Sequence, residues 1–145
     1  MTEEQIKKLS EPMPSWAVKQ HPTKTYLSVI SPMAVIERLN DVFGVGAWIF
    51  ETEFIKVDAV TQGQRTAYMS AVKGTFKVMS QGIHIEQYGG STNDDYGDAL
   101  KGGATDALTK IASYLGVGAS IYKGQGNQGS DEPQTVPEEI PTIRR

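Results

Sequence analysis

Two short turn signals fix the topology of the middle of this chain. Gln62-Gly63 and Ser80-Gln81-Gly82 each separate segments that read as β-strand, and connections this short join antiparallel neighbours. In the first segment, 47–60, Trp48, Phe50 and Phe54 share one parity, while Ile49, Ile55 and Val57 share the other. The second, 65–79, alternates, and the third begins Ile83-His84-Ile85-Glu86-Gln87-Tyr88. The three predict an antiparallel meander with an apolar face that another element must cover.

A cover stands immediately downstream. Across 98–115, Leu100, Ala104, Ala107, Leu108, Ile111 and Leu115 recur on one face of a helix. Asp94, Asp95 and Asp98 crowd its N-terminus, where the helix dipole favours negative charge, and Gly116 ends it. Gly102 and Gly103 interrupt it at a cost of about 1 kcal/mol each against alanine, so the pair predicts a close approach by another backbone or a ligand. A shorter helix starts at Ser31-Pro32, an N-cap followed by proline in the first helical position. It carries Val35, Ile36, Leu39, Val42 and Phe43, and Gly44 fits a left-handed C-terminal position. At the N-terminus, Thr2 and Gln5 form a capping box before Ile6, Leu9 and Met13, and Pro12 and Pro14 break that helix. A short strand is expected over 25–30. The expected class is α+β: an antiparallel meander packed against one long and one shorter helix. So small a core, with the close neighbour implied by Gly102-Gly103, predicts an oligomer.

The chain is 145 residues long, which favours one domain. From Gln125 it runs QGNQGSDEPQTVPEEIPTIRR, too poor in apolar groups to offset its ordering entropy. Residues 1–124 are therefore expected to be the folded body and 125–145 a disordered acidic tail. The whole carries 14 Lys and Arg against 17 Asp and Glu, a net charge of −3, so bulk positive charge cannot drive polyanion binding. The body alone holds 12 basic and 13 acidic side chains, which leaves room for a local basic stripe.

Cysteine is absent, which removes disulfide frameworks, thiolate metal sites and cysteine nucleophiles together. The two histidines, His21 and His84, do not suggest a metal centre, and no cofactor is expected. Asp94, Asp95 and Asp98 can in principle hold magnesium, but helix capping accounts for them more simply. No nucleophile set or phosphate loop is spaced for catalysis, and the chain is not expected to be an enzyme. The polar start and the absence of a long apolar run predict a soluble cytoplasmic protein with no membrane partner.

Among basic residues, Arg65, Lys73 and Lys77 share a parity, so they leave one face of their strand and can track phosphates. Lys101 and Lys110 are nine positions apart and emerge from roughly opposite sides of the long helix. Asp106 is placed for an i, i+4 pair with Lys110.

The segment ALKGGATDALTKIASYLG, 99–116, resembles the signature helix of the Rad52-type single-strand annealing proteins, K-x-A-x-T-D-A-L-K-R-A-L-x-x-F-G. Lys101, Ala104, Thr105, Asp106, Ala107, Leu108, Lys110 and Gly116 match or nearly match it. Upstream, VIERLNDVFG at 35–44, followed by Trp48, is similar to that family's V-x-x-R-L-N-E-V-F-G…W. The resemblance covers about 14–124, and size and tail point to the short bacterial and phage branch, including the DdrA and Sak groups.

It implies ATP-independent annealing of complementary single strands on rings or filaments of this chain, in recombination and repair, in a bacterial cell or phage-infected host. DNA would lie in a positive groove between the sheet and a helical hairpin. By resemblance, Lys101 and Lys110 match basic positions of the signature helix, and Lys19 is similar to a basic residue lining the groove. Thr109 stands where the family usually has Lys, and Ser113 where it often has Arg, although both hydroxyls can still donate to phosphate. Arg65, Lys73, Lys77 and Lys123 are expected to compensate. A single-strand-binding or other replication protein is the expected partner of the tail. The alternative is an oligomeric scaffold or replication-fork adaptor that binds DNA weakly.

Overall fold

A computed structural model describes residues 1–21, 24 and 27–122. Lys123 and the expected tail, 125–145, lie outside the described residues. The chain divides into two compact units, Gly46–Ile111 and the remainder.

The remainder opens with α1 (Glu3–Leu9), started by the expected capping box. Gln5 N donates to Thr2 Oγ1 at 3.1 Å, and Thr2 N donates to Gln5 Oε1 at 3.0 Å. Leu9 and Met13 are buried as the pattern predicts, whereas Ile6 is exposed. β1 (Val18–Gln20) pairs antiparallel with β2 (Ser28–Ile30), Val18 opposite Ile30. The strand expected over 25–30 is found over its last three residues, with Thr25 and Tyr26 outside the described set. α2 (Pro32–Phe43) begins at an extended Ser31 and buries Ala34, Val35, Leu39, Val42 and Phe43. Gly44 ends it at φ 98°, ψ 145°, a positive φ outside the left-handed helical region expected for it.

The 46–111 unit is α+β, as expected. β3 (Ile49–Gln62), β4 (Arg65–Val78) and β5 (Ile83–Asn93) form an antiparallel sheet in the order β3-β4-β5. The hairpin turn places Gly63 at φ 63°, and the second connection places Gly82 at φ 64°, conformations that glycine adopts without a Cβ clash. β3 carries apolar residues on both parities because its register shifts between Phe54 and Lys56: Phe50 lies opposite Phe76, and beyond the bulge Val57 lies opposite Ser70. Ile55 is the extra residue. α3 (Tyr96–Tyr114) covers the sheet, and its last turn, from Ala112, belongs to the other unit. Val72, Phe76, Ala99, Ala107 and Ile111 are fully buried, and Trp48 packs on Phe76 with ring centroids 5.6 Å apart. Burying a Val, Ile or Phe side chain this completely contributes roughly 1.5–3 kcal/mol.

The close neighbour predicted at Gly102-Gly103 is the chain's own sheet. A Cβ on Gly103 would stand 2.6 Å from both Ser70 Oγ and Val72 Cγ2, and one on Gly102 would collide with Ser91. From the other side, a Cβ on Gly89 would collide with Ala107 N and the Gly103 carbonyl oxygen, and would lie 2.9 Å from Ala107 Cα. Ser70, buried on β4, donates to the Ala99 carbonyl at 2.6 Å and ties the first turn of α3 to the sheet. The glycine pair therefore gives no support of its own to the expected oligomer. The contact face is also turned from the expected one: Ala99, Gly103 and Ala107 lie innermost, while Leu100 and Ala104 are only half-buried.

Gly89→Ala should destabilise the unit most among the helix-facing glycines, because the new methyl would strike helix backbone, which cannot turn aside as a side chain can. A loss of about 2 kcal/mol, or about 8 °C in Tm, is expected. Gly97→Ala, whose Cβ would come no nearer than 3.3 Å to Asp95 Oδ1, should be neutral or stabilising. Thermal unfolding followed by circular dichroism compares the two.

Candidate nucleic-acid interface

The sheet separates the basic residues into two sets. Even-numbered positions of β4 from Ser70 to Val78 are buried under α3, so Arg65, Lys73 and Lys77 leave the opposite, uncovered face. The cross-strand register puts Glu51, Glu53 and Asp58 of β3, and His84 and Glu86 of β5, on that same face. The lysines there are ion-paired: Lys77 Nζ lies 3.2 Å from Glu51 Oε1, Lys73 Nζ 3.3 Å from Glu86 Oε2, and Lys56 Nζ 3.4 Å from Asp58 Oδ2. His84 Nε2 approaches Glu86 Oε1 at 3.3 Å. Four carboxylates thus face Lys56, Arg65, Lys73 and Lys77, and the face has no excess positive charge. Shared parity signals the basic stripe in the sequence, but the acids that neutralise it come from two other strands and need the register to be seen.

A hydrogen bond from the Lys73 ammonium, then one from His84, and then the Lys73 charge hold Glu86 below the ordinary glutamate range. In return, the hydrogen bond and charge of Glu86 raise Lys73.

On α3, Lys101 is exposed, and helix geometry places it about 160° around from Gly103, away from the sheet. Lys110 lies nearer the sheet, and its Nζ is 2.6 Å from Asp106 Oδ2. The same oxygen accepts the Gly90 N–H of β5 at 2.9 Å. Thr109 Oγ1 donates to the Thr105 carbonyl at 2.9 Å, inside its own helix. Ser113 is half-buried near the end of α3, and Lys19 is exposed on β1. Among the described residues, Lys19, Arg65 and Lys101 carry no ion pair. Lys123 lies outside the described residues.

Asp95 accepts the Asp98 N–H at 2.9 Å and so caps α3. Among the described residues, no three His, Asp or Glu side chains are grouped to hold a metal ion. No helix of the described residues is long and apolar enough to cross a membrane.

Residues 2–139 match the profile of the Rad52/22 family of double-strand break repair proteins. The chain belongs to the Rad52/22 family. Its members are DNA-binding annealing proteins of recombination and repair, not enzymes of the usual kind. No curated protein matches the chain in sequence. Within this Rad52/22 chain, the signature helix is the element packed on the meander, and its Lys101 is the cation it presents outward.

Because Glu86 titrates below its unfolded value, its ion pair should contribute stability above the unfolded glutamate pKa and lose it as pH falls through the depressed folded pKa. The raised Lys73 loses its share only when pH climbs through its own folded pKa, so the pair persists across neutral pH. In a carbon-detected NMR titration, the Glu86 carboxyl should show a low midpoint that moves up in Lys73→Met.

Proposed function

We propose that this chain binds single-stranded DNA and anneals complementary strands without ATP, as a homo-oligomeric ring or filament. The observation that carries the reading is Lys101, exposed and without an ion pair, on the outward side of the signature helix of a Rad52/22 family chain. A cation there neutralises phosphate without touching base edges, so it carries no sequence information. Lys19 and Arg65 are further exposed cations that can serve the same purpose. Strand pairing is downhill by ~1.4 kcal/mol per stacked step and needs no nucleotide to drive it. An annealing protein has to reduce phosphate repulsion and leave the bases free to test a second strand. We place this activity in the cytoplasm of a bacterial cell or phage-infected host, with residues 125–145 as the segment that engages a replication partner.

Fluorescence anisotropy on unrelated oligonucleotides in EDTA, with a quenching assay for annealing, tests the proposal. Lys101→Ala should weaken binding several-fold on every sequence and reduce the log–log salt slope by about 0.7, the value of one phosphate contact on a single strand. Loss confined to some sequences, or annealing that requires ATP, would overturn it.

A second reading, an oligomeric scaffold or replication-fork adaptor, is favoured by the internal commitments of Lys73, Lys77, Lys110 and the Thr109 hydroxyl. It requires flat anisotropy at low salt from a protein that still assembles.

A further inference from the structure

We propose that Asp106 is a positioning residue that latches Lys110, so that a DNA phosphate engages this lysine only by displacing the carboxylate. The proposal rests on the single-strand-binding reading above and assigns regulation within it. Its basis is the double use of one oxygen: Asp106 Oδ2 accepts the Gly90 N–H at 2.9 Å and lies 2.6 Å from Lys110 Nζ. The β5 amide fixes the carboxylate in place, so it cannot swing away with the lysine. Glu51 and Glu86, the partners of Lys77 and Lys73, have no backbone donor of this kind among their described hydrogen bonds.

The pair is also accessible. The Lys110 and Asp106 side chains are 30% and 28% exposed, so an incoming phosphate can reach the ammonium from solvent. Lysine is a point charge on a flexible stem and can exchange one anion for another without a fixed geometry. Each exchange leaves Asp106 without its cation, so Lys110 gives less net affinity than an unpaired lysine such as Lys101.

A double-mutant cycle tests the latch on the full chain with oligothymidine. Asp106→Asn keeps an amide oxygen to accept the Gly90 N–H and removes the charge. It should raise affinity about twofold to fivefold at low salt, the range for a partly exposed pair, and steepen the salt slope by up to about 0.7. In a Lys110→Gln background the same substitution should change neither quantity. Equal gains in both backgrounds would mean a general charge effect, and no gain beside Lys110 would mean no latch; either result overturns the proposal. Should Asp106→Asn fail to fold, the wild-type Asp106 ¹³Cγ resonance decides: it should move at oligothymidine saturation, and a fixed resonance overturns the latch. Wild-type protein that binds no oligothymidine removes the single-strand reading and the latch with it. Binding with zero coupling removes the latch alone.

Discussion

The 46–111 unit depends on how closely α3 lies on β4 and β5. Its contact face is built from Ala99, Gly103 and Ala107, and the strands answer with Ser70, Gly74 and Gly89. Residues this small replace an interdigitated layer of side chains with near backbone-to-backbone packing. Each helix glycine costs about 1 kcal/mol in propensity, so the arrangement is stable only because van der Waals contact and the Ser70 bond to Ala99 offset that cost. The return is closeness: there is no room for even a methyl group at Gly89 or Gly103.

That closeness decides what the charged residues can do. With Gly103 held against the sheet, Lys101 has to point outward, and Asp106 has to meet the Gly90 amide. The uncovered sheet face is chemically different. Its lysines are ion-paired with carboxylates, and a phosphate arriving there must compete with anions already in place. Cation density along a strand is therefore a poor guide to polyanion binding when the neighbouring strands carry acids in register. An outward cation on a rigid helix needs no such competition.

The sequence discloses the order and type of the main elements because turns and periodicities are local properties. Ser31-Pro32, Gln62-Gly63 and Gly82 act through their own backbone, and Thr2 and Gln5 through side chains that reach only three residues along the chain; each acts where it is expected. β1 was not legible: Val18-Lys19-Gln20 has no pattern of its own and becomes a strand only by pairing with β2. The exact face of α3 was also hidden. A scale that rewards Leu and Ile turns the helix toward Leu100 and Ala104, whereas the sheet selects its smallest residues for closeness. For the site, Lys101 and the Asp106–Lys110 pair follow from helical spacing. The Gly90 bond and the acids around Lys73 and Lys77 depend on tertiary register, which no single segment contains.

The two family-like motifs divide along the same line between scaffold and chemistry. In 35–44 the arginine is structural: the Arg38 guanidinium donates to the carbonyls of Lys8, Leu9, Glu11 and Pro12 at 2.8–3.2 Å. A helix end leaves carbonyls without partners, and one planar fork of donors satisfies those after α1, a geometry that a lysine ammonium cannot copy. In 99–116, Gly103 and Ala107 provide closeness, Thr105 supplies the carbonyl that accepts the Thr109 hydroxyl, and Asp106 joins helix to strand. Most of both motifs therefore holds backbone in place, and Lys101 is the motif cation left unpaired among the described residues. A resemblance built largely from scaffold residues identifies the fold and family firmly, while the strength of DNA binding rests on the few exposed cations that the scaffold positions.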